Sequence, residues 1–339
     1  MSGSMSSMAI NNDKKNNTPE NLVEIRNLRT WYPIRRGVLA RTVGQVKAVD
    51  HVSFAIKKGE TLGLVGESGC GKTTLGRTLV GLEQAQAGEI LFQGRNILSM
   101  ESKERQEIRR RMQMIFQDPL SSLNPRMLVR DIVTEGMRAF GMIRENQAEE
   151  TAMALLGEVG MSKESLTRYP HEFSGGQCQR ISIARAVSMR PDFMVLDEAV
   201  SALDVSVQAQ VLNLLMDLQD KYGLTYLFIS HNLSVVSHIA DHVAVMYLGK
   251  MVEYGKVADV IESPVHPYTQ ALISAVPVPG KRTERIILQG ETPSAANPPD
   301  GCPFHPRCPE CQTICRTTVP RLEQADDRLF SCHMRSQHL

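Results

Sequence analysis

The chain has 339 residues, of which 42% are apolar and 22% are charged, and its formal net charge is +1. No stretch approaches the roughly 18 consecutive apolar residues that cross a bilayer, and no basic patch of the kind typical of nucleic-acid-binding proteins is present. The length allows a large core and a second domain or a large appendage. We therefore expect a soluble globular protein whose role at any membrane depends on partners.

The N-terminal part of the chain predicts a tail followed by strands. Residues 1–20 are rich in Ser, Asn and Lys and lack the apolar core of a secretory signal, so we expect a disordered tail and a protein that stays in the cytosol. Leu22–Leu28 and Lys47–Ile56 predict two strands, joined by an exposed hairpin loop at Arg35–Gln45. The apolar run Leu62–Val65 predicts a third, buried strand.

A glycine-rich turn follows this buried strand. The segment Gly66-Glu67-Ser68-Gly69-Cys70-Gly71-Lys72-Thr73 matches the pattern Gly-x-x-x-x-Gly-Lys-[Ser/Thr] and leads into a helix predicted to about Leu82. Such a turn directs backbone N–H groups and the helix dipole at one point, where the β- and γ-phosphates of a nucleotide bind. A turn that merely joins a strand to a helix is the alternative, which the Lys-Thr pair disfavours. The residues expected to contact nucleotide are Gly66, Ser68, Gly69, Cys70, Gly71, Lys72, Thr73 and Thr74, with the Thr73 hydroxyl also a ligand for Mg²⁺.

Two aromatic residues, Trp31 and Tyr32, lie upstream of the glycine-rich turn. An isolated aromatic side chain usually belongs to the core, but the position near a nucleotide makes stacking on adenine an equal alternative. Of the two residues, we expect Tyr32 to stack.

The middle of the chain alternates strands and helices and then changes character. Glu89–Phe92 predicts a strand, Lys103–Arg111 a polar helix, and Met112–Phe116 a buried strand that ends at Gln117. Helices broken by prolines and glycines then predict an inserted helical subdomain at 118–175.

The inserted subdomain ends in a second glycine-containing segment, Phe173-Ser174-Gly175-Gly176-Gln177, before a helix predicted at Cys178–Met189. Serine is a typical helix cap, and paired glycines let the backbone approach an anion closely.

Two adjacent carboxylates end the next apolar run. Phe193–Leu196 predicts a buried strand that delivers Asp197 and Glu198 to its carboxyl end, where ligands bind in open α/β sheets. Asp197 is suited to hold Mg²⁺ through water, and Glu198 to polarise an attacking water. The alternative is a pair that caps the following turn, which the upstream phosphate loop disfavours.

The rest of the predicted sheet adds one candidate side chain. Asp204 begins a helix to about Lys221, and His231 follows a strand at Leu224–Ser230. A lone histidine is more often structural, but this one lies where the crevice of the sheet is expected, so we favour a hydrogen bond to a γ-phosphate. Strands at Val243–Leu248 and Lys250–Glu253 are predicted to complete the sheet.

Taken in order, these motifs over residues 22 to 255 resemble the ATP-binding subunit of ABC transporters. The segment ending in Ser-Gly-Gly-Gln, called the signature below, discriminates this family from other phosphate-loop ATPases. The resemblance implies an α/β fold with an antiparallel β subdomain, a mixed core sheet flanked by helices, an inserted helical subdomain and a small irregular C-terminal extension. The implied domains are 21–255 for the ATPase and 256–339 for the extension.

The resemblance also implies a mechanism shared by two subunits. Each ATP lies between the phosphate loop of one subunit and the signature, Ser174 to Gln177 here, of the other. Glu198 is then the catalytic base, His231 holds the γ-phosphate, Gln117 contacts Mg²⁺ and the attacking water, and Asp204 steadies the facing loop. This chain has Ala199 where most of the family has proline, and Cys178 where arginine usually follows the signature. We expect these differences to loosen the turn at Glu198 and change the field near the signature, without abolishing hydrolysis.

The segment after the ATPase core carries its own motifs. His266-Pro267-Tyr268-Thr269 and Gly301-Cys302-x-Phe304-x-x-Arg307-Cys308 look like parts of the C-terminal extension of oligopeptide and dipeptide importer ATPases, in particular the second, dipeptide-type subunit with a cysteine-containing extension. Prolines and glycines here exclude a long helix, so the segment is expected to be held by its contacts or by a ligand.

Five of the seven cysteines lie from Cys302 onward. In a cytosolic protein this clustering favours metal or redox chemistry over disulfides, and spacing alone leaves Zn²⁺, an iron–sulfur cluster and unligated thiols open. The family resemblance implies a [4Fe–4S] cluster on Cys302, Cys308, Cys315 and Cys332, with Cys311 as the surplus cysteine.

The sequence thus predicts an ATPase at the cytoplasmic face of the bacterial inner membrane that powers uptake of di- or oligopeptides. The implied partners are a second, non-identical ATPase subunit, two membrane permeases and, indirectly, an external binding protein. Nickel, oligosaccharide or glutathione are alternative cargoes. A soluble ABC ATPase acting on DNA or ribosomes is a weaker alternative, because the chain has one cassette and no long coiled-coil insertion.

Overall fold

The computed structural model describes residues 21–37, 40–276, 285–325 and 327–336, which form two β-sheets with helices packed around them. The strands are β1 Asn21–Arg36, β2 Arg41–Lys57, β3 Thr61–Val65, β4 Ala87–Phe92, β5 Arg95–Asn96, β6 Met112–Ile115, β7 Phe193–Asp197, β8 Thr225–Ile229, β9 His242–Tyr247, β10 Lys250–Lys256, β11 Glu323–Ala325 and β12 Arg328–Phe330. The α-helices are α1 Lys72–Leu79, α2 Ser102–Arg111, α3 Pro119–Ser122, α4 Val129–Ala139, α5 Ala148–Glu158, α6 Gly175–Ser188, α7 Val205–Tyr222, α8 Leu233–Ile239, α9 Val257–Glu262, α10 Pro267–Ser274, α11 Thr313–Thr317 and α12 His333–Ser336. Short 3₁₀ turns lie at Ile97–Ser99, Glu145–Gln147, Lys163–Thr167, Pro170–Glu172 and His305–Arg307.

The larger sheet has eight strands in the order β11-β12-β10-β9-β3-β8-β7-β6. Strands β9, β3, β8, β7 and β6 are parallel, and every residue of β3, β7 and β8 is buried. Continuous apolar runs form such strands because both faces of the sheet are covered. Parallel strands end at a common edge, so the residues that follow β3, β6, β7 and β8 are brought together. This mixed sheet with flanking helices confirms the predicted α/β fold class.

The smaller sheet, in the order β2-β1-β4-β5, is antiparallel, as predicted for the β subdomain. Its first hairpin differs from the prediction of an exposed loop at Arg35–Gln45, because pairing continues to Arg36↔Arg41. This part of the ribbon is largely exposed, so its strands do not need the apolar alternation from which strands are predicted. The backbone hydrogen bonds of the ladder hold it instead.

Helices α3, α4 and α5 pack against α6 between β6 and β7. In α5 the buried side chains include Ala152 and Leu156, and Val159 is buried just beyond the helix. This is the segment predicted as a helical subdomain.

The C-terminal residues add to the main sheet, so the prediction that β9 and β10 complete it was wrong. Strand β12 pairs with β10 through Glu253↔Phe330 and Tyr254↔Leu329, and β11 pairs with β12. Both are three-residue strands with no periodicity of their own, which is why only long-range pairing reveals them. Tyr268 and Phe304 are buried in the same core cluster as β8 and β9. The extension therefore shares the core of the ATPase.

Two predictions concern the relation to solvent and membrane. The tail predicted at 1–20 lies outside the described residues. Among the helices that the structure describes, none has the length and apolarity needed to cross a bilayer.

Candidate nucleotide site

The glycine-rich loop lies between β3 and α1, as predicted. The Lys72 side chain is only 5% exposed, and its Nζ donates to the carbonyl oxygens of Gly66 at 2.8 Å and Glu67 at 2.9 Å. Gly71 has φ +108°, and a Cβ there would lie 1.9 Å from the carbonyl oxygen of Ala48 in β2. Only glycine fits this approach, so the loop is held closely against the smaller sheet.

Thr73 and Asp197 meet across the ends of α1 and β7. The Thr73 hydroxyl donates to Asp197 Oδ1 at 3.0 Å, and Asp197 is 1% exposed. Burial raises the pKa of Asp197 and outweighs the Thr73 hydrogen bond, with Glu198 adding to the rise. A divalent cation here would stabilise the carboxylate, and a hydroxyl with carboxylate oxygens is a donor set that suits Mg²⁺. These two residues fit the predicted magnesium site.

The three predicted catalytic side chains converge immediately after their strands. Gln117 Nε2 donates to Glu198 Oε2 at 2.9 Å, and His231 Nδ1 lies 3.5 Å from Glu198 Oε1. Glu198 has φ +46°, a left-handed conformation that is costly for a residue with a Cβ and is concentrated at functional sites. The following residue, Ala199, is buried. The backbone strain at this turn thus coincides with the predicted catalytic base.

These groups surround a cavity of about 490 Å³. It is lined by Val46, Ala48, Ser68, Gly69, Gly71, Lys72, Thr73, Thr74, Gln117, Glu198, His231 and Ala295. Cys70 is buried beneath the loop with its Sγ 3.8 Å from Lys72 Nζ, and burial raises the pKa of its thiol. Cys70 is therefore placed to support the loop by packing, with its backbone still part of the turn.

The two aromatic candidates have different surroundings. Tyr32 in β1 pairs with Val46, which lines the cavity, and its phenol interacts with Thr74; burial raises the pKa of this phenol. Two cations lie near the Trp31 ring, with Lys47 Nζ 5.3 Å and Arg29 Cζ 5.7 Å from its centroid. The surroundings of Tyr32 favour the prediction that it, rather than Trp31, meets the base.

The signature residues lie outside this cavity. Ser174 caps α6, its Oγ accepting from the Gln177 N–H at 3.4 Å, while Gln177 Oε1 accepts from the Ser174 N–H at 3.0 Å. The helix begins at Gly175, not at Cys178 as predicted, because this reciprocal cap brings Gly175, Gly176 and Gln177 into its first turn. Ser174, Gly175 and Gln177 are exposed and Gly176 is partly exposed. The signature thus presents a capped helix N-terminus at the surface.

Two further predicted positions also lie outside the cavity. Asp204 caps α7 by accepting from the Val207 N–H at 3.0 Å and from Ser206 Oγ at 2.7 Å, and these bonds lower its pKa. Cys178 is buried and its thiol donates to the Pro170 carbonyl at 3.4 Å. Its role in this structure is packing.

Sequence reasoning missed the residues of the extension that contact the phosphate loop. Arg307 and Thr292 bind the Glu67 side chain, and Tyr268 accepts a hydrogen bond from the Glu67 N–H. Ala295 accepts from the Lys47 N–H and lines the cavity. Arg307 and Tyr268 belong to motifs that the sequence does mark, but nothing in those motifs indicates that they pair with Glu67.

The five cysteines of the extension include the predicted ligands of the metal centre. Cys302, Cys315 and Cys332 are buried, and Cys308 and Cys311 are partly buried. In the described part of the chain, no three or more His, Cys, Asp and Glu side chains are placed to hold a metal ion, so the predicted iron–sulfur site is not supported. Burial raises the pKa of Cys302 to about 11 and that of Cys308 to about 12, which favours protonated thiols at neutral pH.

Comparison with known proteins agrees with this geometry. Residues 49–201 match the family model described as ABC transporter, and residues 252–315 match the model described as oligopeptide/dipeptide transporter, C-terminal region. The chain is 52% identical over 323 residues to the oligopeptide transport ATP-binding protein AppF of Bacillus subtilis (strain 168), covering 94% of this chain and 98% of that protein. It is 49% identical over 324 residues to the dipeptide transport ATP-binding protein DppF of Haemophilus influenzae, covering 95% and 98%.

Solved structures show the same fold. The cbiO1 structure from Clostridium perfringens, part of the ABC transporter complex cbiONQ, has a TM-score of 0.61 at 24% identity and covers 72% of this chain and 92% of that one. A dimeric post-hydrolysis structure of the ATP-binding cassette MJ0796 bound to ADP and Pi has a TM-score of 0.62 at 24% identity, with coverage of 69% and 98%. The chain belongs to the family of ATP-binding subunits of oligopeptide and dipeptide ABC transporters.

Proposed function

We propose that this chain hydrolyses ATP to energise the uptake of di- or oligopeptides through a bacterial ABC importer, at the cytoplasmic face of the inner membrane. The observation that carries the proposal is the convergence of Gln117, Glu198 and His231 beside the Thr73–Asp197 pair at one edge of the sheet. The match of the C-terminal region to peptide transporters supports the cargo class.

Each side chain at this edge has a role that its position allows. Lys72 and the loop N–H groups bind the β- and γ-phosphates. Thr73 and Asp197 would hold Mg²⁺, which would supply positive charge beside the transferred phosphoryl group. Glu198 orients the attacking water and accepts its proton, while Gln117 holds the Glu198 carboxylate and extends toward the cation and water. His231, which lies near the Glu198 oxygen that Gln117 does not contact, donates to the γ-phosphate. Tyr32 stacks on the adenine.

The position of the signature supports a site shared between two subunits. Ser174 to Gln177 and Asp204 lie at exposed helix N-termini outside the cavity of this chain. We propose that they close on the ATP bound by a second, non-identical ATPase subunit, and that two permeases receive the motion through residues 118–175. The domains proposed for the chain are 21–255 for the ATPase and 256–339 for the extension.

Reconstitution tests the function directly. The chain would be combined with co-purified permeases and second ATPase, and ATP hydrolysis measured with binding proteins loaded with peptide, nickel, oligosaccharide or glutathione. Peptide-loaded protein is expected to stimulate hydrolysis in the wild-type complex and not in the Glu198→Gln complex. Stimulation by another cargo alone would replace the peptide assignment. Failure to capture any membrane partner would favour the soluble ATPase instead.

We also propose that Cys302, Cys308, Cys315 and Cys332 are the ligands of a [4Fe–4S] cluster, with Zn²⁺ as the alternative. The support is that Cys302, Cys315 and Cys332 are buried in the same region, and that the Cys302 N–H donates to the Cys315 carbonyl oxygen at 2.8 Å. Anaerobic purification with iron and sulfide analysis tests this. Colourless protein with stoichiometric zinc, or with no metal, would eliminate the cluster.

A further inference from the structure

The phosphate loop is attached to the C-terminal extension through one residue, Glu67. Arg307 Nη1 donates to Glu67 Oε2 at 2.7 Å, and Arg307 Nη2 donates to Oε1 at 3.1 Å. The Thr292 hydroxyl donates to the same Oε2 at 2.8 Å, and the Glu67 N–H donates to the Tyr268 hydroxyl at 2.8 Å. Three residues of the extension thus bind both the side chain and the backbone of one loop residue.

The Arg307–Glu67 ion pair is largely shielded from water. The Arg307 side chain is 9% exposed and that of Glu67 is 27% exposed, so the pair is much less hydrated than a surface ion pair. Two parallel N–H···O bonds fix its geometry as well as its charge. Burial alone would raise the pKa of Glu67, but the hydrogen bonds from Arg307 and Thr292 outweigh burial and lower it. Glu67 is therefore an anion whose charge Arg307 compensates.

The turn that carries Arg307 is itself packed into the core. Arg307 ends the 3₁₀ turn His305–Arg307, whose N–H groups bond back to Cys302 and Phe304. The Phe304 ring is buried and lies 5.4 Å from that of Tyr268. The guanidinium is thus presented from a turn that cannot shift without disturbing packed aromatic rings.

Tyr268 is also anchored by hydrogen bonds among buried residues. His266 Nδ1 accepts from the Tyr268 N–H at 3.1 Å at the start of α10. Glu253 of β10 accepts from the N–H groups of Val265 at 2.8 Å and His266 at 2.9 Å. The extension therefore contacts the loop from two positions, Arg307 and Tyr268, which share the packing around Phe304.

One hydrogen bond connects Glu67 with Lys72, the residue proposed to bind the phosphates. Lys72 Nζ, the cation of the loop, donates to the Glu67 carbonyl at 2.9 Å. A displacement of Glu67 changes both this carbonyl and the position of an anionic side chain close to the phosphate cavity. We propose that Arg307 is a positioning residue for ATP binding: it holds Glu67, neutralises its charge, and couples the C-terminal extension to the phosphate loop. This inference rests on the ATP site proposed above.

Charge compensation of Glu67 by Arg307 distinguishes the single variant from the double variant. Removing Arg307 alone leaves the Glu67 carboxylate uncompensated beside a ligand that carries several negative charges, whereas removing both charges abolishes the repulsion. A merely structural brace would behave differently, since the double variant would then be at least as impaired as the single variant.

The test is equilibrium binding of ATP with Mg²⁺ to the full chain, by titration. Arg307→Gln is expected to weaken binding about tenfold, equivalent to about 1.4 kcal/mol. The double variant Glu67→Gln with Arg307→Gln is expected to recover most of that loss, and Arg307→Lys to fall between wild type and Arg307→Gln. Lys256→Gln is the control, because Lys256 pairs with Asp327 inside the extension and both side chains are exposed. It is expected to bind ATP within about twofold of wild type.

In the reconstituted complex, Arg307→Gln should raise the KM for ATP and leave kcat nearly unchanged. Unchanged binding in Arg307→Gln, or a double variant no better than the single one, would overturn the inference. If Arg307→Gln does not fold, the double variant decides by itself: binding close to that of wild type supports charge compensation, and a loss of about tenfold overturns the inference. Wild-type chain that fails to bind ATP would instead overturn the proposed function.

Discussion

The phosphate-loop edge and the cysteine-bearing extension differ in what holds their polar groups. At the edge, Asp197, Glu198 and His231 lie at or just beyond the ends of β7 and β8, which are buried along their whole length. In the extension, Cys302 and Cys308 flank a single 3₁₀ turn that is packed into the same core through Cys302 and Phe304. Rigid strand ends hold side chains in catalytic geometry without a ligand, whereas short turns depend on their contacts.

The two regions also use ionisable groups differently. At the edge, the carboxylates of Asp197 and Glu198 lie at an open cavity, where charge is needed for the reaction. In the extension, Cys302 and His266 are buried, and burial raises the pKa of Cys302 to about 11 and lowers that of His266 to about 3. The contrast indicates that the edge is arranged for reaction and the extension for structural support.

The largest effect is expected at Glu198. Glu198→Gln keeps the shape of the side chain and removes the proton acceptor, so we expect ATP hydrolysis in the assembled complex to fall about 10²- to 10⁴-fold, with ATP binding retained. Steady-state phosphate release measures this. Glu291→Gln, at an exposed position of the extension, is the control and should be unaffected. Activity within twofold of wild type in Glu198→Gln would remove the assignment of the base.

The next effect separates close packing from backbone strain in the loop. Gly71→Ala forces a Cβ against the Ala48 carbonyl at a left-handed φ, so we expect a loss of about 3 kcal/mol or more in the free energy of unfolding. Gly69→Ala has a similar φ of +79° but no atom within 4 Å of the new Cβ, and should cost about 1–2 kcal/mol. Urea denaturation compares the two variants. Equal costs would show that the approach to β2 does not constrain the loop.

A smaller, pH-dependent effect is expected from His266. Because burial holds its folded pKa near 3, against 6.5 ordinarily, the unfolded chain gains a proton as pH falls below 6.5 while the folded chain does not. Stability should therefore fall with pH, by up to about 1.4 kcal/mol per pH unit between 6.5 and 3 from this group. The groups facing it are Glu253, which accepts from its N–H, and Arg335, whose charge also lowers its pKa.

His266→Asn keeps a helix-capping side chain and removes the titration. Urea unfolding at pH 7 and pH 5 should show wild type losing about 2 kcal/mol more than the variant. Parallel losses in the two proteins would contradict a neutral, buried His266.

The smallest effect compares two cysteines of the extension in reduced, chelator-treated protein. Cys302→Ser places a hydroxyl in the core and should cost about 1–2 kcal/mol, whereas Cys311→Ser, at a partly exposed position, should change stability by less than about 0.5 kcal/mol. Chemical denaturation measures both. If the two variants behave alike, the packing difference between these cysteines has no energetic consequence.

Much of the catalytic edge was predictable from sequence because its residues are read locally. The pattern from Gly66 to Thr73 needs a strand before it and a helix after it, and both are visible in the apolar run Leu62–Val65 and the residues beyond. Asp197 and Glu198 could be assigned because parallel strands end at one edge of a sheet. Helix α6 was predicted three residues short because a reciprocal side-chain cap, not periodicity, sets its start.

The extension was less predictable because its structure depends on distant pairings. Strand β12 forms through its ladder with β10, and β11 pairs with β12. The Arg307–Glu67 pair joins residues 240 positions apart. No local pattern encodes either contact. The spacing of the cysteines suggested a ligand set, but spacing along irregular backbone does not fix where side chains meet.

The sequence by itself determined the phosphate loop, the carboxylates that face it and the signature, since glycine conformations, strand burial and helix capping are short-range properties. The tertiary structure decided which of these groups share a cavity, placing Gln117, Glu198 and His231 beside Lys72 and leaving Ser174 to Gln177 outside it. It also decided that the extension binds the loop through Glu67, because only packing of the whole chain brings Arg307 and Tyr268 to that residue.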